Sequence, residues 1–376
     1  MPRVSAEAET DQRHLLRAIE LAEQGRGRVS PNPLVGAVVA RASETLGEGF
    51  HSAFGAPHAE VEAIRAAGSG ELRDATLYVS LEPCAHHGKT PPCTEAIVRA
   101  GIGRVVVASD DPSEHASGRG LGVLRDEGVE VVVADGEVAA RARLVNQPFR
   151  KHARTGRPWV LFKSAMTLDG KVATSGGDSK WISSEPARQL AHRWRAEVDA
   201  VAVGIGTALA DDPRLTARSG EVFRQPRRVV FDSLARLGPS SRLVREARRV
   251  PLTVVVSRAA PRASADTLKA HGAEVLVASG ENETARVRSA LAALGEAGIS
   301  SILLEGGPHL AGAFLDAGEI DELRLFLAPR VLGGRTARSA LEGEGVESIA
   351  EAVRALTLEL EHVSEDLLIS ARLKEW

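Results

Sequence analysis

Two cysteines, one histidine and one glutamate are the residues of this sequence most able to do chemistry. Residues 51–93 contain four of the eleven histidines and both cysteines of the 376-residue chain. His58 and Glu60 precede Cys84, and eight residues separate Cys84 from Cys93. One imidazole and two thiolates suit Zn2+ and leave a fourth position for water, whose pKa zinc lowers toward about 7. Glu60 stands two residues from a ligand and can carry the proton, so the pattern predicts zinc-assisted hydrolysis.

We expect His58, Glu60 and Cys93 to lie at the first residues of two helices. Residues two apart in a helix point about 200° away from each other, so His58 and Glu60 cannot share a face inside one. They fit a helix entrance, where Pro57 is also favoured. Cys93 precedes another helical pattern, whose unpaired amides favour a thiolate. The alternative is two buried cysteines near surface histidines, and the order His-x-Glu then Pro-Cys favours zinc over it.

The apolar pattern around this group predicts an α/β architecture in two domains. Short apolar runs alternate with helical patterns in both halves, which is typical of helices on both faces of a largely parallel sheet. In the first half we predict helices at 11–24, 59–67, 94–100, 120–127 and 137–149, and strands at 34–40, 76–80, 105–108 and 129–133. In the second half we predict helices at 184–195, 284–297 and 309–317, and strands at 159–164, 200–204, 228–232, 252–256, 274–277, 301–304, 322–328, 355–361 and 366–373. The pattern lapses at 146–158, so we divide the chain into domains 1–150 and 151–376.

Composition excludes several classes of protein. The chain is 43% hydrophobic and 26% charged, as globular domains are, and its net charge of −3 does not favour a nucleic-acid binder. The longest nearly apolar run, Ala200 to Ala210, is far shorter than the roughly 18 residues of a membrane span. The first residues are polar and acidic, so we expect a cytoplasmic protein. In that reducing compartment a close cysteine pair is expected to bind metal rather than form a disulfide.

The zinc pattern and its surroundings resemble one enzyme family. The segments Pro31–Gly36, His58–Glu60 and Leu81–Cys93 are similar to the deaminase half of the bifunctional riboflavin-biosynthesis deaminase/reductases, whose cysteine spacer is longer than that of cytidine and tRNA adenosine deaminases. The resemblance implies a cytidine-deaminase-like three-layer α/β/α domain that binds one Zn2+ through His58, Cys84 and Cys93, with Glu60 as proton shuttle. It also implies substrate contacts at Asn32, His51, His86 and Lys89. The stretch Asp111–His115 departs from the family pattern.

Glycines and arginines are the informative residues of the second half. A predicted strand runs into Glu305–Ala313, where glycines would let the backbone approach a phosphate and a helix start would offer free amides. Arg195 and Arg218 suit a phosphate because a guanidinium makes paired, charge-assisted bonds. A packing turn and a cation at a helix end are the structural alternatives. No residue stands out as the acid or base of a reduction.

The same family resemblance extends over the second half. The segments Phe162–Lys171, Gly177–Ser183, Gly206–Thr216 and Glu305–Gly312 are similar to its reductase half, whose α/β fold is like that of dihydrofolate reductase. The resemblance implies NADPH contacts at Ala165, Trp181, Thr207, Asp211, Ser233, Gly307, Pro308 and Gly312. It implies substrate contacts at Ser179, Arg195, Leu215, Arg218 and Glu305.

The implied activity is a two-step conversion of a phosphoribosylated pyrimidine. Hydrolytic deamination of 2,5-diamino-6-(5-phosphoribosylamino)pyrimidinone would give 5-amino-6-(5-phosphoribosylamino)uracil, and NADPH would then reduce the ribosyl group to ribityl. We expect a homo-oligomer that binds neither nucleic acid nor membrane. Two alternatives stay open: a deaminase of nucleic-acid bases, and a deaminase whose second half is a non-catalytic module.

Overall fold

The computed structural model describes residues 6–68, 70, 72–114, 116–218 and 222–376. Its contacts divide the chain into two units, of which the first ends at Thr155 and includes Trp376, and the second extends from Gly156 to Glu375. The expected division after residue 150 therefore falls inside a helix of the first unit. Among the described residues, no helix is both long and apolar enough to cross a membrane.

The first unit is a five-stranded sheet between two layers of helices. Its helices are α1 (Ala6–Glu23), α2 (Ala59–Ala67), α3 (Cys93–Arg99), α4 (Arg119–Asp126), α5 (Gly136–Val145) and α6 (Gln147–Thr155). Its strands are β1 (Gly36–Arg41), β2 (Glu44–Phe50), β3 (Thr76–Val79), β4 (Arg104–Val107) and β5 (Glu130–Val133), in the order β2-β1-β3-β4-β5. Strands β3, β4 and β5 are parallel, and β1 is antiparallel to both of its neighbours. The predicted α/β/α layering is confirmed.

Alternation along the strands builds a core on each face of this sheet. Val38 packs with Leu15 and Ile19 of α1, whereas Val39 packs with Ala63 of α2 and with helices α3 and α4. Successive strand residues point to opposite faces, so one apolar strand serves both layers. The face covered by α2, α3 and α4 carries the zinc ligands predicted from sequence, because α2 and α3 begin beside them.

The second unit is a nine-stranded sheet covered by helices. Its helices are α7 (Glu185–Glu197), α8 (Ile205–Asp211), α9 (Arg242–Arg245), α10 (Arg262–Ala270), α11 (Glu283–Glu296) and α12 (Pro308–Asp316). Its strands are β6 (Trp159–Thr167), β7 (Lys171–Ala173), β8 (Ala200–Gly204), β9 (Arg227–Phe231), β10 (Leu252–Ser257), β11 (Glu274–Ala278), β12 (Ser301–Leu304), β13 (Glu322–Ala328), β14 (Arg338–Ser339), β15 (Thr357–Val363) and β16 (Asp366–Arg372). The order is β11-β10-β9-β8-β12-β6-β13-β16-β15, while β7 pairs with β14. The strands from β11 to β13 are parallel and the last two are antiparallel, as the sequence predicted for its end.

The structure differs from the sequence prediction at several elements. Strand β2 was not predicted because its glycines hide the strand pattern. A Cβ on Gly47 or Gly49 would lie 2.4 Å from the backbone of α2, so the glycines are what allow that helix to approach. The predicted helix 137–149 is two helices. The first ends before Asn146, whose backbone is not helical and whose side chain bonds to the backbone of Leu34. Helices α8, α9 and α10 and the short strands β7 and β14 were also not predicted.

Candidate functional site

His58, Cys84 and Cys93 converge in the first unit as the sequence predicted. Their ligand atoms all lie within 4.8 Å of one another, with His58 Nδ1 3.2 Å from Cys93 Sγ and 3.5 Å from Cys84 Sγ. His58 is the residue before α2, Cys93 is the first residue of α3, and Cys84 follows β3. The pKa of Cys84 is lowered, chiefly because the Cys93 thiol donates to its sulfur, and the pKa of Cys93 is raised for the same reason. The donor set and its spacing therefore fit a zinc ion.

Glu60 lies in the first turn of α2, beside these three ligands. Its side chain is 3% exposed, and its Oε2 has no hydrogen-bond partner among the residues that the structure describes. Burial, together with the nearby Cys84 charge, raises the pKa of Glu60 to about 7. A buried carboxylate oxygen without a partner is costly, so this atom is available to a ligand of the site.

His51 and Asn32 form a hydrogen-bonded pair next to His58. The ring of His51 lies 5.3 Å from that of His58, measured between centroids, and is 2% exposed. His51 Nδ1 lies 3.1 Å from the carbonyl oxygen of Pro57, and Asn32 Nδ2 lies 3.0 Å from His51 Nε2. These contacts fit a neutral ring that donates from Nδ1 and accepts at Nε2, and burial lowers the pKa of His51 in agreement. The Asn32 side chain is thereby aimed beside the zinc ligands.

His86 and Lys89 lie in the loop between the two cysteines, and both are exposed. The Lys89 ammonium lies 3.8 Å from the ring centroid of Phe54, a residue that the sequence analysis did not single out. This cation–π contact directs a long, flexible side chain to one place. The two residues are 35 positions apart in the sequence, and no sequence motif links them.

Glu82 lies two residues before Cys84, and the sequence analysis did not single it out. It is 4% exposed, and its two carboxylate oxygens accept hydrogen bonds from the amides of Gly118 and Gly120, at 3.0 and 3.1 Å. These amides lie at the start of α4, where a carboxylate is favoured. Glu82 therefore fixes the backbone that leads to Cys84.

A cavity of about 890 Å³ opens at the carboxyl ends of the parallel strands of the second unit. Of the predicted cofactor residues it is lined by Ala165, Trp181, Thr207, Asp211, Ser233, Gly307 and Pro308, and of the predicted substrate residues by Ser179 and Glu305. Gly307 immediately precedes α12 at φ 49°, and a Cβ on Gly306 would lie 2.6 Å from Val203. The Gly306-Gly307 turn therefore needs glycine and exposes the amide end of α12 to the cavity.

Arg195 and Glu305 form a paired ion contact at the edge of this cavity. Arg195 Nε and Nη2 donate to the Glu305 carboxylate at 2.5 and 2.6 Å, and Arg195 Nη1 donates to the carbonyl oxygen of Thr216. Arg218 belongs to the same cluster, and its Nη2 lies 3.1 Å from His192 Nε2. Burial and the charges of Arg195 and Arg218 lower the pKa of His192 to about 4. The cluster therefore places two arginines near the carboxylate of Glu305.

Four predicted residues of the second unit are not among the described residues that line the cavity: Arg195, Leu215, Arg218 and Gly312. Arg195 and Arg218 belong to the cluster around Glu305, and Leu215 is a buried residue with a left-handed backbone, at φ 56°. Gly312 faces the backbone of Glu342, where a Cβ would lie 1.3 Å from the carbonyl oxygen. The structure thus gives Gly312 a packing contact on α12.

Lys163 lines the same cavity from the central strand β6 and was not singled out by the sequence. Burial lowers its pKa, and the Glu305 carboxylate opposes that effect. Trp181, 63% exposed, also lines the cavity, and the guanidinium of Arg188 lies 4.5 Å from its ring centroid. Asp211 accepts an ion contact from Lys180 at 3.3 Å.

The fold and the two sites define a zinc-type deaminase unit followed by a nucleotide-binding reductase unit. Residues 8–109 match the family described as "cytidine and deoxycytidylate deaminase zinc-binding region", and residues 158–369 match the "RibD C-terminal domain". The riboflavin biosynthesis protein RibD of Aquifex aeolicus is 40% identical over 96% of this chain and 98% of its own. Acinetobacter baumannii RibD (form 2) has a TM-score of 0.84 at 35% identity, over 97% of this chain and 99% of that one.

A third relative is named for two reactions. The Thermotoga maritima diaminohydroxyphosphoribosylaminopyrimidine deaminase/5-amino-6-(5-phosphoribosylamino)uracil reductase has a TM-score of 0.82 at 36% identity, over 97% of this chain and 99% of that one. The chain belongs to the RibD family. It is a bifunctional enzyme of riboflavin biosynthesis, a zinc-dependent deaminase and an NADPH-dependent reductase.

Proposed function

We propose that Glu60 is the proton-transferring residue of the deaminase and that His58, Cys84 and Cys93 are its zinc ligands. The observation that carries this proposal is the buried Glu60 carboxylate, whose Oε2 has no partner, beside three ligand atoms within 4.8 Å of one another. The chemistry expected of a bound zinc ion is to lower the pKa of a water molecule. Glu60 would accept the proton of that water and deliver it to the departing amine.

We assign the pyrimidine and its phosphate to the rim of this site. Asn32 has an amide that can donate to and accept from a pyrimidine edge, and its contact with His51 fixes its orientation. His86 would face the ring, and Lys89, held against Phe54, would contact the ribose phosphate. The substrate would be the diaminopyrimidine ribosyl phosphate for which the Thermotoga maritima relative is named.

For the reductase we infer that Lys163 is the proton donor. Reduction of a ribosyl to a ribityl group adds hydride to C1′ while the C1′–O4′ bond opens, and O4′ takes a proton. The hydride would come from bound NADPH, for which we propose contacts at Ala165, Trp181, Thr207, Asp211, Ser233, Gly307 and Pro308. Lys163 lies in the cavity beside Glu305, and its lowered pKa eases release of a proton. Ser179, Arg195, Leu215, Arg218 and Glu305 would hold the phosphorylated substrate.

A coupled assay tests the two activities. Zinc-loaded protein is incubated with the diaminopyrimidine ribosyl phosphate and NADPH while ammonia and NADPH absorbance are followed. We expect ammonia release and then NADPH oxidation in wild type and in the control Glu62→Gln, which changes an acidic residue of the same helix. Glu60→Gln should release no ammonia, and it should oxidise NADPH only when the deaminated product is supplied. Ammonia release by Glu60→Gln at the wild-type rate would contradict the role of Glu60.

We further propose a cytoplasmic homo-oligomer that binds no nucleic acid and associates through β15. This strand ends the nine-stranded sheet, and its Leu358 and Leu360 are 65% and 62% exposed. An edge strand offers unpaired backbone groups to a second strand, and two exposed leucines on one face of β15 would be covered by that pairing. Sedimentation of Leu358→Glu/Leu360→Glu should show a smaller species than wild type, whereas Val277→Glu on the opposite edge should not. Retention on RNA at physiological salt would contradict the small-molecule assignment.

A further inference from the structure

The junction of α5 and α6 contains four buried polar residues that the family-model matches do not cover: Asn146, Gln147, Arg150 and Lys151. Asn146 and Arg150 lie beyond residues 8–109 and before residues 158–369, and the apolar pattern marks this stretch only as a boundary. Yet their side chains are 3% and 1% exposed. Burying an amide and a guanidinium is costly unless both are hydrogen-bonded, so their partners show what they do.

Asn146 holds the loop that carries Asn32. Its Oδ1 accepts from the amide of Leu34 at 2.8 Å, and its Nδ2 donates to the carbonyl oxygen of the same residue at 2.9 Å. Leu34 is two residues beyond Asn32, whose amide contacts His51 beside the zinc ligand His58. A pair of bonds to one residue's backbone fixes both its position and its orientation. The place of Asn32 at the site thus depends on Asn146.

Arg150 holds the loop that follows β4. Its Nη1 donates to the carbonyl oxygen of Asp110 at 2.8 Å and to Ser109 Oγ at 3.3 Å, and its Nη2 contacts the Asp110 carboxylate at 3.3 Å. Its Nε donates to the carbonyl oxygen of Trp376, which belongs to the same unit. Every nitrogen of the fork therefore has a partner, which a lysine could not reproduce.

The loop that Arg150 holds lies against the zinc-ligand loop. The amide of Glu82, two residues before Cys84, donates to the carbonyl oxygen of Ser109 at 3.0 Å. Asp111, which follows Asp110, is 8% exposed and close enough to His86 for the two side chains to interact electrostatically. His115, at the end of the stretch that departs from the family pattern, lies outside the described residues.

We propose that Asn146 and Arg150 are positioning residues of the deaminase, which set the two loops carrying Asn32 and Asp111 at the rim of the zinc site. The inference rests on the proposed function of that site. The hydrogen bonds given above for the two side chains go to other residues than the zinc ligands, so their loss should leave the metal in place and weaken recognition of the pyrimidine. A purely structural role would instead lower zinc content, stability and both activities together.

The test compares Arg150→Met, Arg150→Lys and Asn146→Ala with Arg154→Met, which removes an exposed arginine from the next turn of α6. For ammonia release we expect Arg150→Met and Asn146→Ala to raise KM about tenfold or more while kcat changes by less than about threefold. Arg150→Lys should fall between Arg150→Met and wild type, and Arg154→Met should match wild type. Zinc content and NADPH-dependent reduction of the deaminated product should not change.

Two kinds of result would overturn the inference. One is a KM within about twofold of wild type in both Arg150→Met and Asn146→Ala, or a rise of equal size in Arg154→Met. The other is a loss of zinc or of the reductase activity in step with deamination, since the residues would then only support the fold. Failure of the proposed function itself would be seen separately, as absence of ammonia release by the wild-type protein.

Discussion

Removing the charge of Glu305 should destabilise the second unit by about 3 kcal/mol. Arg195 donates two hydrogen bonds to Glu305 at 2.5 and 2.6 Å, and the side chains are only 14% and 10% exposed. Glu305→Gln keeps the size of the side chain but leaves Arg195, with Lys163 nearby, without a counter-charge. Breaking a buried pair costs about 3–5 kcal/mol, and the remaining exposure places the cost at the low end.

Urea unfolding of the full chain measures this cost. Three of the four tryptophans, Trp159, Trp181 and Trp194, lie in the second unit, so fluorescence follows its transition, which is fitted separately from that of the first unit. Arg195→Met/Glu305→Gln should recover part of the loss because it removes the unpaired charge. Asp266→Asn, which breaks an exposed pair with Arg262, should change the free energy of unfolding by less than about 0.5 kcal/mol.

The pH dependence of the same variant gives an independent check. Burial acts to raise the pKa of Glu305, but the Arg195 charge and hydrogen bonds outweigh it, so the net pKa lies below the ordinary 4.5. A carboxylate with a lowered pKa stabilises the fold at neutral pH and loses that contribution as pH falls through its folded pKa. The gap between wild type and Glu305→Gln should therefore narrow below pH 4.5. A gap under about 1 kcal/mol at pH 7 would refute the reasoning.

Four further outcomes are expected. Lys163→Met should lower kcat for reduction of the deaminated product by about 10²-fold or more at an unchanged rate of ammonia release, and equal loss of both would contradict its role as proton donor. Phe54→Ala should raise KM for deamination about two- to fivefold because Lys89 loses its cation–π contact, whereas Phe54→Tyr should not. Dialysis against a chelator should abolish ammonia release but leave reduction of supplied product intact, as measured by NADPH absorbance. A mixture of Glu60→Gln and Lys163→Met should carry out both steps if the intermediate diffuses freely, and NADPH left unconsumed would indicate that it does not.

Residues that act within a short strand–turn–helix segment could be predicted from the sequence. Pro57, His58 and Glu60 require a helix entrance, and α2 begins at Ala59 as predicted. Cys93 likewise opens α3. The chemistry of these positions and their local structure depend on the same few neighbours, so one pattern predicts both.

Contacts between distant parts of the chain could not be predicted in this way. Leu34 and Asn146 are 112 residues apart, and Arg195 and Glu305 are 110 apart. The local apolar pattern does not show which distant residues pair, so Asn146 was assigned to the boundary region between the two domains. Lys163 was missed for a related reason: a lysine in a predicted central strand becomes informative only when the neighbouring strands enclose it in a cavity.

Both halves nevertheless contain sequence motifs that predict their sites, because these motifs lie at the carboxyl ends of parallel strands. Cys84 follows β3 and Glu305 follows β12, each in a loop that leads to the start of a helix. At such an edge the free amides of helix starts meet, which favours thiolate, carboxylate and phosphate alike. A loop that must turn there within a few residues needs particular residue types, as Gly306 and Gly307 show. The sheet edge that carries the functional side chains therefore also restricts which residue types are allowed. The residues that hold these loops in place can come from any part of the unit.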